Sequence, residues 1–252
     1  MLHRRLYQFF IIYFLGLAAL FLIKYALNLS DYVIPGPLEI WQTAQSVFAR
    51  YFFNVLDTLS VAILGHLLSI CLATIVGIIG RLTLWIGSFI RVAAYNIQAY
   101  PIVAVAPIIF ILLGDGLSSR LMITAMICYF PLLLSFIGIL SEPVTEIEHF
   151  YETTARMRWQ LQVKIRAFEN IGKITTVIVG SGTLAMVGTI VAEFIAANAG
   201  IGHSVRMALY QSDLAKILVA LFLIGICTSL YLVFLEGLGQ VIQRRLVGKA
   251  NS

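Results

Sequence analysis

The chain has 252 residues, of which 60% are hydrophobic and only 12% are charged, with a formal net charge of +5. A soluble domain carries about 25% charged residues, so this composition excludes a water-soluble globule and makes lipid the solvent for much of the surface. The length suits a single transmembrane domain over residues 1–252. The cysteines lie inside apolar runs without a CxxC spacing, which predicts small core hydrophobes rather than metal ligands or disulfide partners: Cys71, Cys128 and Cys227.

Six apolar runs are long enough to cross a membrane, since a spanning helix needs about 20 mostly apolar residues. In chain order they are residues 6–27, 55–80, 92–114, 121–141, 174–197 and 217–242. A shorter apolar piece, 82–90, would extend the third run. The first run is longer than the core of a signal peptide and no small-x-small cleavage site follows it, so we interpret it as a retained anchor. The predicted fold class is all-α, a polytopic membrane protein with about six transmembrane helices.

The positive charges predict the orientation of these helices. With the N-terminus in the cytoplasm, twelve of the 17 Lys and Arg residues lie on the cytoplasmic side and five lie outside. Because Lys and Arg accumulate in cytoplasmic loops, both termini are predicted to be cytoplasmic, in a multi-pass protein of the plasma or inner membrane. The basic balance is then explained by topology, and it gives no support to a nucleic-acid partner.

The longest cytoplasmic loop, residues 142–173, contains a predicted amphipathic helix. Arg156 and Arg166 point away from its apolar stripe, whose members recur at helical spacing: Met157, Leu161, Ile165 and Phe168. Such a helix either lies on the membrane interface, with its basic residues on lipid head groups, or docks into a groove on a soluble partner.

The same loop resembles the cytoplasmic coupling loop of ABC importer permeases, whose pattern is Glu-Ala-Ala, a Gly and a later Leu-Pro. Glu152-Thr153-Thr154 stands in the place of Glu-Ala-Ala, and residues 158–161 resemble the segment after the Gly. The chain departs from the pattern because a short stretch with the Gly is missing and Ala167-Phe168 replaces Leu-Pro. The resemblance implies a set of ATPase-coupling residues: Glu152, Thr153, Thr154, Met157, Trp159, Leu161 and Ile165.

Further matches follow the nitrate/sulfonate/taurine branch of these permeases over residues 30–242. The segment 34–40, Ile-Pro-Gly-Pro-Leu-Glu-Ile, resembles the Pro-Ser-Pro-x-x-Val segment after that branch's first helix, and prolines this close together predict an extended stretch. The other matches are Pro101 and Pro107 with Gly114-Asp115-Gly116, Phe130-Pro131, and Val191-Ala192-Glu193 followed by Gly200-Ile201-Gly202.

Ionisable groups inside spans are costly and are therefore candidates for function. Asp57 is either a helix-end residue or a pathway or helix-contact residue, and His66 is either bonded to a neighbouring helix or a proton relay. Glu193, among small residues, is either a structural hydrogen-bond partner or part of a translocation gate. Four polar residues early in the third run should face protein or a water-filled path. The candidate pathway or gate residues are thus Tyr95, Asn96, Gln98, Tyr100 and Glu193.

Proline and glycine positions in the spans admit two interpretations each. Pro101, Pro107 and Pro131 remove backbone donors and either kink helices for function or are architectural. The small residues of the fifth run, 180–182 with Gly188, favour tight packing, which a dimer interface or a contact within the bundle explains equally well.

The resemblance implies the membrane-spanning permease subunit of an ATP-driven importer of a small solute, either nitrate-, sulfonate- or taurine-like or vitamin-precursor-like. The chain lacks a Walker-type Gly-rich loop with Lys, so it is not expected to be an enzyme, and ATP should bind to separate ABC ATPase subunits. No cofactor or metal is expected in this chain. The other implied partners are a second permease copy, in a homodimer, and a periplasmic or extracellular solute-binding protein.

Two other classes of function are weighed against this one. A channel or secondary transporter would act without an ATPase, but the sequence has no Thr-Val-Gly-Tyr-Gly filter and no evident inverted repeat. An intramembrane serine protease would need Ser181 and His203, yet Val179 breaks the Gly-x-Ser-Gly form and His203 lies outside the fifth run.

Overall fold

A computed structural model describes residues 2–144, 147 and 158–248 of the chain, and this part is all-helical, which confirms the predicted fold class. Its helices are α1 Leu2–Ala26, α2 Pro37–Ile79, α3 Leu84–Gln98, α4 Ile102–Leu113, α5 Leu117–Ser141, α6 Trp159–Glu169, α7 Ile171–Ile195, α8 Gly200–Tyr210 and α9 Leu214–Gly248. Five of these, α1, α2, α5, α7 and α9, are long and apolar enough to cross a membrane.

The third predicted span is not one helix. α3 and α4 are bent by 90° relative to each other, and only the pair taken together would make a sixth span. Pro101 lies at the break with φ −66° and ψ 117°, outside the helical region, where its missing N–H cannot continue the hydrogen bonds of α3. The apolar piece at 82–90 does extend this element, since α3 begins at Leu84.

The segments between the predicted spans hold more helix than hydropathy indicated. Gly36 is extended as predicted, with φ −73° and ψ 162°, but residues 37–40 of the predicted extended stretch are helical. Pro37 is the first residue of α2, a position where its missing N–H removes no helical bond. The second apolar run begins at residue 55, but α2 already begins at Pro37, so residues 37–54 are helical as well. α8 occupies the segment before the last span.

The centre of the bundle is formed by α2, α5 and α7, with α9 packed on α2 and α1 on α9. Glycines bring these helices close together: a Cβ at Gly65 of α2 would lie 2.5 Å from Thr124 of α5, and one at Gly188 would lie 3.2 Å from the Thr124 Cα. A Cβ at Gly182 would lie 2.8 Å from Leu235 of α9. Gly182 and Gly188 therefore mark contacts within this chain's own bundle.

The cysteines divide into two environments. Cys128 and Cys227 are buried, as predicted, whereas Cys71 is exposed on α2 among exposed apolar neighbours such as Leu68 and Leu72. The prediction of a core position is wrong for Cys71 because hydropathy does not distinguish a lipid-facing side of a helix from a protein-facing one. All three are free thiols.

Candidate functional site

A buried group of charges lies where the middle of α2 meets the start of α5 and the end of α7. Glu193 of α7 is fully buried, and Thr58 of α2 donates a hydrogen bond to its carboxylate at 2.8 Å. Arg120 of α5 forms ion pairs through Nη2 with Glu193 and, at 2.7 Å, with Asp57 of α2. We call Asp57, Thr58, Arg120 and Glu193 the outer ion cluster, because the distribution of Lys and Arg predicts that this end of the bundle faces outward. It links three helices that are far apart in sequence.

The outer ion cluster also caps α8. The N-cap residue of α8, Ala199, has no side-chain oxygen, so the first amide groups of the helix need acceptors from elsewhere. Gly202 N–H donates to Glu193 Oε2 at 2.9 Å and Ile201 N–H donates to Thr58 Oγ1 at 2.9 Å. The Glu193 carboxylate thus lies at the positive end of the α8 dipole, where a negative charge is stabilised.

The Gly-Ile-Gly motif fits this cap closely. Gly200 has φ +87°, and a Cβ there would overlap the carboxyl group of Glu193. A Cβ at Gly202 would lie 2.5 Å from the carbonyl oxygen of Ile190. Glu193 and the Gly200-Ile201-Gly202 motif that follows it in the sequence are therefore in direct contact. Only glycine lets the backbone of α8 approach α7 this closely.

Sequence reasoning missed the role of Arg120, which it counted as an outer flanking charge. Arg120 is 5% exposed, and its guanidinium lies between two carboxylates. Asp57 is a helix-contact residue in this arrangement, and its half-exposed side chain connects the cluster to the surface. The sequence signal that could have identified Arg120 was its position along the predicted spans. Asp57 and Glu193 lie near the predicted outer ends of their spans and need a cation at the same depth in the membrane. Arg120 lies at this depth, at the start of the span 121–141.

A second buried network lies deeper in the bundle. His66 of α2 is 1% exposed, with Nδ1 at 2.7 Å from the Tyr231 hydroxyl of α9 and Nε2 at 2.7 Å from the Ser181 hydroxyl of α7. Of the two interpretations of His66, the structure therefore shows the one in which its side chain is hydrogen-bonded to neighbouring helices. Ser181 is paired with His66, whereas His203 contacts Arg206 at 3.0 Å, so the pair that a protease would need is not formed.

The polar residues predicted for the pathway separate into different places. Gln98, the last residue of α3, and Tyr100, in the break, both line a cavity of about 480 Å³ beside the break. Phe130 and Pro131 of α5 form its opposite wall. The cavity is thus an apolar and aromatic space with an amide and a phenol at its edge.

The remaining pathway candidates lie elsewhere. Tyr95 and Asn96 are exposed on α3 and do not line this cavity, and the Asn96 side chain donates to the Val92 carbonyl at 2.8 Å. Glu193 belongs to the outer ion cluster. The structure therefore brings together only Gln98 and Tyr100 of the five candidates.

Part of the predicted coupling helix is described as α6. Glu152, Thr153, Thr154 and Met157 lie outside the described residues. Within α6, Val163 and Arg166 are buried against the bundle, and Arg166 Nη1 donates to the carbonyl oxygen of Leu140, at the end of α5, at 3.0 Å.

The apolar stripe of α6 points in the opposite direction. At 100° per residue, Leu161, Ile165 and Phe168 lie about half a turn away from Val163 and Arg166. Leu161 and Ile165 are half-buried and Phe168 is exposed, while Trp159 is half-buried on the bundle side. The helix is held to the bundle by one side and presents apolar side chains on the other.

Comparison with known proteins assigns the family. Residues 69–248 match the binding-protein-dependent transport system inner membrane component family. The formylaminopyrimidine transport permease protein of Halalkalibacterium halodurans is 24% identical over 220 residues, which cover 85% of this chain and 86% of the relative. A probable ABC transporter permease protein of Haemophilus influenzae is 24% identical over 217 residues, or 77% of this chain and 88% of the relative.

A third relative is more similar over a shorter stretch. The riboflavin transport system permease protein of Chloroflexus aurantiacus is 35% identical over 151 residues, which are 60% of this chain and 54% of the relative. The family match extends from the second half of α2 to the end of α9. It thus includes α6, the partners of His66, which are Ser181 and Tyr231, and two of the four residues of the outer ion cluster, Arg120 and Glu193. The chain therefore belongs to the binding-protein-dependent transport system inner membrane components, which are permeases of ABC transporters.

Proposed function

We propose that this chain is the permease subunit of an ATP-driven importer, coupled through α6 to a separate ABC ATPase. The observation that carries the proposal is the two-sided character of α6. Its Val163 and Arg166 side is fixed to the bundle, and its Leu161, Ile165 and Phe168 side is left to contact a partner. An apolar helix face of this kind fits a groove on a soluble protein.

α5 provides the route from this helix to the outer surface. Arg166 of α6 is bonded to Leu140 near the inner end of α5, and Arg120 near the outer end of the same helix is ion-paired in the outer ion cluster. Leu140 and Arg120 are separated by about 30 Å along α5. A displacement of α6 by ATP binding elsewhere would reach the cluster through α5 and bias the bundle between two access states.

The solute cavity lies along the same helix. Phe130 and Pro131, halfway along α5, form one wall of the 480 Å³ cavity at the α3–α4 break. Among the described residues that line it there is no charged side chain, while Gln98 and Tyr100 supply hydrogen-bonding groups. This lining favours an uncharged, flat heterocycle over nitrate or a sulfonate. The names of two relatives, for formylaminopyrimidine and riboflavin transport, are consistent with such a solute.

The complete transporter in this proposal contains two copies of the permease, two ATPase subunits and a solute-binding protein. The binding protein would deliver solute to the outer side, where the first half of α2 and α8 lie. The orientation follows from the distribution of Lys and Arg, which places α6 in the cytoplasm.

The test is uptake by cells that express the chain together with an ABC ATPase and a solute-binding protein from the same genome. We expect ATP-dependent uptake of radiolabelled formylaminopyrimidine or riboflavin, and no uptake of taurine or nitrate above background. Uptake that persists without the ATPase would identify a channel or secondary transporter instead.

Glu152→Lys tests the coupling role separately. We expect the variant to insert normally and to lose uptake while the ATPase continues to hydrolyse ATP. Glu169→Lys, which makes the same charge change at the exposed end of α6, is the matched control and should retain uptake. Normal uptake by Glu152→Lys would contradict the coupling role of that residue.

A further inference from the structure

A second cavity, which is polar and has a volume of about 450 Å³, opens at the end of the bundle where α2 and α5 meet α6. Arg81, in the turn after α2, and Arg91, on α3, both line it. The hydroxyl groups of Ser88 and Ser141 and the amide of Gln162 add hydrogen-bond donors. Among the described residues that line this cavity there is no carboxylate. Two guanidinium groups with neutral donors around them form a chemical environment suited to a phosphate group.

The two arginines have different surroundings. Arg81 Nη1 donates to Ser141 Oγ at 3.3 Å, which holds it at the wall. Arg91 is exposed and makes no hydrogen bond or ion pair with any residue that the structure describes. Two other cations at this end have carboxylate partners: Lys173 is paired with Glu142, and Arg5 with Glu236. The charge of Arg91 is therefore available to a ligand.

Apolar and aromatic surface adjoins the cavity. Leu84, which also lines it, is 91% exposed, and Trp85 next to it is 73% exposed. The Trp85 ring stacks on Phe89 with centroids 5.6 Å apart. Tryptophan beside basic residues is typical of the level at which lipid head groups meet acyl chains.

We propose that this cavity binds the phosphate head group of an anionic phospholipid in the cytoplasmic leaflet. Arg81 and Arg91 hold the phosphate, and the acyl chains run along Leu84, Trp85 and Phe89. Basic pockets between transmembrane helices on the cytoplasmic side are suited to such head groups. Because Gln162 belongs to α6, the bound lipid contacts the coupling helix and makes its position dependent on membrane composition.

The experiment measures lipid binding by the purified full chain. Native mass spectrometry counts bound phosphatidylglycerol and phosphatidylcholine as each is titrated into detergent micelles. We expect the wild type to prefer phosphatidylglycerol, and Arg91→Gln to lower that affinity about fivefold without affecting phosphatidylcholine. Ser88→Glu, which introduces a carboxylate into the cavity, should reduce binding of phosphatidylglycerol further. Arg244→Gln, the same change on the exposed end of α9 at the same side, is the control and should bind like the wild type.

Three results would overturn the inference. One is an equal affinity of the wild type for both lipids, and another is an equal loss in Arg91→Gln and Arg244→Gln, which would indicate general charge attraction. The third is competition by inorganic phosphate at the same site with no preference between lipids, which would identify a soluble anion as the ligand. Since lipid binding is measured on the isolated chain, none of these outcomes tests ATP-driven uptake. A failure of the uptake experiment would likewise not contradict the lipid site.

Discussion

At the scale of single residues, the buried charge of Arg120 and Glu193 dominates. Desolvating two ions costs several kcal/mol each, and their attraction offsets this only with good geometry and further hydrogen bonds. Thr58, Gly202 and Asp57 supply those bonds. The stability of the protein should therefore fall much more when one partner of the Arg120–Glu193 pair is removed than when both are removed.

Arg120→Met should destabilise the protein by about 3–5 kcal/mol, because Glu193 would be left as a buried charge without its cation. The measurement is the denaturant midpoint of unfolding in mixed micelles. Lys216→Met removes a partner from the surface pair with Asp213 and should cost less than about 1 kcal/mol. Adding Glu193→Gln to Arg120→Met should restore part of the loss. Equal effects of Arg120→Met and Lys216→Met would contradict the assignment of a buried pair.

Gly200 and Gly114 separate two effects of adding a methyl group. Both have positive φ, +87° and +78°, so alanine at either position is strained by about 1–3 kcal/mol. Only at Gly200 would the new Cβ also overlap the Glu193 carboxyl group, whereas nothing lies within 4 Å at Gly114. We expect Gly200→Ala to lower the thermal midpoint clearly more than Gly114→Ala. Matching shifts would show that α8 can move away from Glu193 at little cost.

At the scale of helices, α6 is the element whose two sides have different surroundings. Val163 is buried on the side held by Arg166, whereas Phe168 is exposed on the other. Its sequence is only weakly apolar, so its position depends on these contacts with the end of α5 rather than on insertion into lipid.

Charged substitutions on the two sides of α6 should have opposite consequences. Val163→Asp should lower the thermal stability of the isolated permease, because a carboxylate would be buried without a partner. Phe168→Asp should leave that stability unchanged and reduce ATP-dependent uptake, because it alters the surface proposed to contact the ATPase. If Phe168→Asp destabilised the isolated chain as much as Val163→Asp, the outward side would have to be packed within the chain.

The elements that sequence predicted and those it missed differ in physical kind. Long apolar runs were found because lipid demands them, and α5, α7 and α9 lie within a few residues of the predicted bounds. The first half of α2 was missed because polar residues such as Glu39 and Arg50 lower its hydropathy without interrupting the helix. The ion pair of Arg120 with Glu193 joins residues 73 apart in sequence, and no local pattern specifies such a contact.

At the scale of the whole molecule, α2 joins the networks to one another. It carries Asp57 and Thr58 of the outer ion cluster and His66 of the deeper network. Arg81, which lines the polar cavity, follows in the turn directly after α2. Deletion of the His66 ring should therefore affect three helices at once. His66→Ala would leave the Ser181 and Tyr231 hydroxyls without this partner, at about 1–3 kcal/mol each. Tyr231→Phe, which removes one hydroxyl, should cost less in the same unfolding measurement.

A cysteine-labelling experiment tests the predicted orientation of the helices in the membrane. In a variant with its three cysteines replaced, Ser212→Cys between α8 and α9 should react with a membrane-impermeant maleimide added to intact cells. Arg244→Cys should react only after the cells are opened, because the excess of Lys and Arg on its side predicts a cytoplasmic location. The reverse pattern would invert the bundle and remove α6 from contact with a cytoplasmic ATPase.

The length of α2 has a mechanical consequence. It runs for 43 residues, about 64 Å, whereas the hydrocarbon layer is about 30 Å thick, so at ordinary tilts roughly half of it projects beyond the lipid. Pro37 at its start is its only proline, so no proline hinge interrupts the shaft. If the proposed coupling and orientation hold, a small tilt at the inner end of α2 would become a larger displacement at its outer end. A helix of this length would then act as a lever between the cytoplasmic surface and the surface on which a solute-binding protein is proposed to dock.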